Sequence, residues 1–70
     1  MSLSARNKLR GKVTAVKEGE IVSHIQVRVG QNVIESVITT ESAKEMNLKK
    51  GDSVTAVIKA TEVMILKDED

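Results

Sequence analysis

Ser4, Arg6 and Asn7 stand almost side by side near the start of the chain: a hydroxyl, a guanidinium and a carboxamide just ahead of a segment that alternates like a strand. All three donate hydrogen bonds, and no acidic residue precedes Glu18 to neutralise them. Such a cluster suits a small anion better than a metal ion or an acid–base reaction. An enzyme is the least expected class. No nucleophile is visibly paired with a base, no carboxylate pair suggests acid–base work, and the single His24 has no obvious partner. With no Cys in the chain, one histidine cannot build a zinc site, and direct metal coordination is not expected.

The elements that must position these donors come from a small chain. Seventy residues make one domain, 1–70, in the size range where a single core barely offsets the entropy of ordering it. Disulfides are excluded, and Phe, Trp and Tyr are all absent, so the side chains that bury most area are missing. By elimination, self-association is the expected stabiliser. Eleven Lys and Arg stand against ten Asp and Glu, so no global field attracts DNA or an anionic membrane, and local placement must carry any charge argument. Arg6, Lys8, Arg10, Lys12 and Lys17 all precede the first carboxylate, whereas the chain closes on Lys67-Asp68-Glu69-Asp70, of which 68–70 are expected to fray. No apolar run approaches the roughly 18 residues of a membrane span, and Met1-Ser2-Leu3 does not open a secretory signal. The expected location is the cytoplasm.

Residues 10–16 alternate, with Gly11, Val13 and Ala15 on one face and Arg10, Lys12, Thr14 and Val16 on the other. Lys17-Glu18-Gly19-Glu20 reads as a turn centred on a glycine at ease with positive φ. Residues 21–29 alternate strongly, Gly30-Gln31-Asn32 closes a hairpin, and residues 33–39 form a third strand rich in β-branched side chains. The period then changes. Ala43 and Met46 recur at a spacing of three behind N-cap hydroxyls, which predicts a brief helix within residues 39–48. Strands follow at 53–59 and 63–66, separated by the polar break Ala60-Thr61-Glu62. Three strands, one helix and two strands suggest an all-β fold with one short helix, an OB-fold-like five-stranded Greek-key barrel. Apolar residues on both faces, as at Val16, Val22, Ile34, Ile38 and Val57, exceed what one small barrel can bury and point to a subunit interface.

The chain resembles the molbindins, small molybdate-binding proteins made of one Mop-type domain, over essentially its whole length. Ser4-Ala5-Arg6-Asn7 followed by Leu9, Gly11 and Val13 is similar to the family's opening, and Thr39-Thr40-Glu41-Ser42 to its strand-to-helix corner. Gly51-Asp52 matches its turn, and Lys59-Ala60-Thr61-Glu62-Val63-Met64-Ile65 its closing segment. The resemblance implies an OB-like barrel assembled as a homohexamer, a trimer of dimers, that stores molybdate or tungstate between subunits with no cofactor. It places the interfacial oxyanion site on Ser4, Arg6, Thr39, Ser42, Lys59 and Ala60, with backbone donors around Ala5. A second class of site near the threefold axis, built largely from backbone around the second strand, falls on Val22, Ser23 and His24. Many members carry Ser where this chain has Ala60, so one side-chain donor is missing here.

The chemistry of the residues agrees. A tetrahedral dianion wants donors from several directions, nearby cations and no inward carboxylate. Arg6 and Lys59 supply charge, Ser4, Thr39 and Ser42 supply hydroxyls, and the start of the short helix adds unpaired backbone N–H groups. Plainer roles exist for each: Thr39 and Ser42 as helix caps, Lys59 as a solvated strand-end lysine, Arg6 as an ion-pair partner of Glu41 or Glu62, His24 as a surface or interface residue. Met46 and Met64 fit as core or interface filler. The alternative of another class is an OB-fold nucleic-acid-binding module, suggested by the basic first strand. Such modules stack bases on aromatic side chains, which this chain lacks.

Overall fold

The structure is a computed structural model and describes residues 6–69. Four strands, β1 (Asn7–Glu18), β2 (Val22–Val29), β3 (Asn32–Thr39) and β4 (Ser53–Ile58), form one antiparallel sheet in the order β3-β2-β1-β4. The helix α1 (Thr40–Glu45) follows β3 directly, and a single 3-10 turn, Ala60–Glu62, follows β4. The long strand β1 is shared. Its first half pairs with β4 from Asn7↔Ile58 to Lys12↔Ser53, and its second half pairs with β2 from Lys12↔Arg28 to Glu18↔Ser23.

A β-bulge interrupts the alternation of β1. Val13 opposes Val27 and Ala15 opposes Gln26, so Thr14 is the extra residue, and its hydroxyl donates to Gln26 Oε1 at 2.9 Å. Beyond the bulge the faces exchange. Val16 packs on the core with Val13 while Ala15 is exposed, which corrects the expectation that Ala15 shares a face with Val13 and that Val16 belongs to an interface. Val13, Ile25, Val27 and Ala43 are buried, and Val29, Ile38, Leu48 and Val54 pack against them. Apart from the hydroxyls of Ser23 and Thr40, the buried side chains are aliphatic, in keeping with a chain that has no aromatic side chain to fill the core.

The turns are differently built. Gly19 is not at positive φ, contrary to expectation. What excludes a side chain there is proximity, since a Cβ would lie 2.5 Å from the Val22 carbonyl oxygen. Gly30 (φ 61) begins the two-residue hairpin loop between Val29 and Asn32, with Gln31 on the ordinary side of φ, the pattern of a type II′ turn. The helix ends in a Schellman motif. Asn47 adopts φ 50, its N–H donates to the Lys44 carbonyl, and Leu48 N–H donates to the Ala43 carbonyl. That closure turns Leu48 onto the core beside Ala43 and returns the chain towards β4.

The predominantly β class with one short helix is therefore what the chain adopts. Within one chain, however, the sheet stays open at four strands. Residues 63–69 join no ladder among the described residues, and the 3-10 turn leads them away from β4. Met64, Ile65 and Leu66 are 93%, 88% and 91% exposed. The strand expected at 63–66 is therefore not formed, and these residues pair with neither edge strand, β3 or β4.

Candidate anion-binding site

The β1–β4 ladder sets the first corner. Asn7 opposes Ile58 and donates from Nδ2 to the Ile58 carbonyl at 3.2 Å, which fastens the two strand ends together. Arg6 immediately precedes this pair and Lys59 immediately follows it, so antiparallel register brings the two cations to the same end of the ladder, both exposed. Asn7, counted from sequence among the free donors, instead spends part of its carboxamide on this clamp. Lys59 also precedes the 3-10 turn, where Glu62 N–H bonds to the Lys59 carbonyl and Val63 N–H to that of Ala60. The N–H groups of Ala60 and Thr61 have no such partner among the described residues, and both residues are exposed. Two ion pairs occur among the described residues, Lys44–Glu18 and Lys49–Asp52, and neither uses Arg6 or Lys59. Ser4 and Ala5 lie outside the described residues.

The second corner is the junction of β3 and α1. Thr39 is the N-cap, its Oγ1 accepting from Ser42 N–H at 3.1 Å and donating to Ser42 Oγ at 2.8 Å. Capping is thus a role these residues have. The same geometry leaves the Ser42 hydroxyl proton available, because its oxygen already accepts from Thr39. Beneath them, Thr40 is buried and donates to the Gly19 carbonyl at 2.8 Å. Since Thr40 spends its one proton there, the 2.8 Å contact with Ser23 Oγ must be a bond donated by Ser23. This relay, Ser23 to Thr40 to Gly19, together with Thr40 N–H donating to the Ile21 carbonyl, anchors the corner to the β1–β2 turn. Thr40 was legible in the sequence only as one more hydroxyl near a cap.

These two corners do not meet in one chain. Thr39 opposes Val22 at the Glu18 end of β1, whereas Arg6 and Lys59 sit at the Asn7 end. Eleven strand steps separate the ends, roughly 30 Å along the bulged strand. The side chains of Val22, Ser23 and His24 alternate between the two faces of β2. Val22 and His24 face the outer side, lining an open hollow of about 490 Å³ with Lys17, Gln26 and Glu35. Ser23 points to the core, is fully buried, and has its hydroxyl committed to Thr40. Among the described residues no buried side-chain polar atom lacks a partner, so the free donors are those at the surface corners.

Residues 3–65 match the TOBE domain family model. The chain belongs to the TOBE-domain family. This TOBE domain is 48% identical over 67 residues to molybdenum-pterin-binding protein 1 of Clostridium pasteurianum, covering 94% of this chain and 98% of that one. Among solved structures, a molybdate binding protein from Sporomusa ovata superposes with a TM-score of 0.90 at 36% identity, covering 96% of this chain and 100% of that one. The cytoplasmic molybdate-binding protein ModG superposes with a TM-score of 0.78 at 38% identity, over 86% of this TOBE domain and 43% of that chain. The relatives are named as binding proteins, in line with a domain whose exposed corners present donors and cations. No helix among the described residues is long and apolar enough to cross a membrane.

Proposed function

We propose that this domain binds molybdate, and its near-isostere tungstate, reversibly and without chemical transformation, in a cytoplasmic storage or supply role. The ion sits between copies of the chain, with Arg6, Lys59 and the backbone at Ala60 from one end of the sheet, and Thr39 and Ser42 from the other end of a neighbouring copy. Ser4 and the backbone at Ala5 complete the donor set. The observation that carries this reading is the separation of two donor corners at opposite ends of β1, each half a site, in a chain whose relatives are named for molybdenum-pterin or molybdate binding.

Assembly supplies what the lone chain lacks. The exposed apolar segment Val63 to Leu66 and an apolar groove between β3 and β4, lined by Ile34, Ile38, Val54 and Ile58, are complementary needs that second copies satisfy. A homohexamer built as a trimer of dimers is the form we propose. Val22 and His24 are candidates for a further site on that assembly, with Ser23 limited to its backbone.

Selectivity follows from a site dominated by donors. Protonated phosphate would have to draw an acceptor from hydroxyl oxygens already engaged in the Thr39–Ser42 cap, and sulfate is smaller than molybdate, so the same donors fit it less well. Titration calorimetry with molybdate, tungstate, sulfate and phosphate tests the reading. Molybdate and tungstate should bind with similar heats and at least a hundredfold more tightly than the other two; equal, weak heats for all four would refute it.

A further inference from the structure

Lys8, Arg10 and Lys12 occupy alternate positions of β1 before the bulge, so all three point from the outer face of the sheet. Across the ladders their partners are Val57, Thr55 and Ser53 on β4, and Arg28 on β2 opposes Lys12. None of these neighbours is a carboxylate. Glu35, the carboxylate of β3 on this face, lies beyond the bulge and accepts from Gln26 Nε2 at 3.0 Å. Asp52, nearest in sequence to the loop, is taken by the Lys49 N–H and ammonium. Neither ion pair among the described residues uses Lys8, Arg10, Lys12 or Arg28.

Two features distinguish this row from an ordinary solvated face. Lys12 and Arg28 are like charges directly opposed across an antiparallel ladder, an arrangement that costs stability, and no intervening acid relieves it. Arg28 is further held in place by donating from Nε to the Gly30 carbonyl at 3.1 Å. The spacing also matters. Alternate residues of a strand lie about 6.7 Å apart, inside the screening length of about 8 Å at physiological salt. The fields of successive cations therefore overlap, although the net charge of the whole chain is only +1. The row runs up β1 towards Asn7, where Arg6 and Lys59 stand.

We infer that the outer face of β1, through Lys8, Arg10, Lys12 and Arg28, is a capture surface for small dianions that delivers them to the Arg6–Lys59 corner. The inference rests on the oxyanion reading above and adds a kinetic role for residues outside the proposed site. An ion that meets any part of the row is held loosely by charge, diffuses along it, and reaches the corner without returning to bulk solvent. Hydroxyls at Ser53 and Thr55 line the row and supply weak donors along the way. With no aromatic side chain to stack a base, the surface suits small oxyanions better than a nucleic-acid strand.

The test is association kinetics of molybdate with the full isotope-labelled chain, from NMR line-shape analysis across a range of salt. Neutralising the row with Lys8→Ser, Arg10→Ser and Lys12→Ser together should lower the association rate about tenfold at low salt, leave the dissociation rate unchanged, and flatten the salt dependence. Reversing it with Arg10→Glu and Lys12→Glu should make association faster as salt rises, a change of sign that altered folding would not produce. Association rates within twofold of the parent at every salt would overturn the capture surface while leaving the oxyanion reading intact. Absence of any molybdate binding by the parent chain would overturn both.

Discussion

Asn7 and Ile58 oppose each other at the open end of the β1–β4 ladder, joined by a 3.2 Å bond from the Asn7 carboxamide to the Ile58 carbonyl. This clamp makes neighbours of Arg6 and Lys59, which are far apart in sequence. Two exposed cations held at one strand end repel each other unless an anion lies between them. Arg6→Ala should therefore weaken molybdate binding by roughly ten- to a hundredfold, the worth of a charge-assisted hydrogen bond, while the assembly stays intact. Calorimetry paired with light scattering checks both halves. Dissociation into unfolded chains would make Arg6 a structural residue instead.

The exposed segment after the 3-10 turn offers a separate test. Ile65 is 88% exposed in the single chain and lies among Val63, Met64 and Leu66. If second copies cover this segment, Ile65→Asp places a charge in an apolar contact and should shift the protein to smaller species with a lower melting temperature. Light scattering at matched concentrations reads the result. An unchanged assembly would show that the segment plays no part in self-association.

Thr40 anchors the second corner from below. Thr40→Val keeps the shape but leaves the Ser23 hydroxyl and the Gly19 carbonyl without their partner. Burying such unsatisfied groups should cost about 2 kcal/mol, measured by denaturant unfolding. Thr39→Ala should cost less, about 1 kcal/mol, because it removes a cap at the surface. A Thr40→Val chain as stable as the parent would remove the relay from the account.

Much of this fold was legible residue by residue. The β-branched alternation within residues 21–29 and 33–39, the glycine-led hairpin closure at Gly30-Gln31-Asn32 and the capping hydroxyls at Thr39 and Ser42 are local signals, and local physics decides them to within a residue at each end. The bulge at Thr14 was not legible. Its position depends on where β2 must place Val27 and Ile25 to fill the core, and one inserted residue exchanges every later face of β1, which is why Val16 rather than Ala15 joins Val13. The fate of residues 63–66 escaped for a similar reason. A pattern of apolar residues states that a segment must be covered, but the ladder that covers it belongs to the three-dimensional arrangement of the other strands.

The candidate site divides along the same line. Residue types alone determined that this chain offers hydroxyls, cations and backbone donors at three points, with no carboxylate near the first of them, and hence that an oxyanion suits it. Only the tertiary structure decided which of those donors are neighbours. Register across β1 and β4 joins Arg6 to Lys59, and the length of β1 holds Thr39 and Ser42 at the far end. Hydrogen bonding commits one amide proton of Asn7 and the hydroxyl proton of Ser23. Donor chemistry is a property of each side chain, whereas proximity is a property of strand pairing, which links residues distant in sequence through contacts that no local pattern encodes.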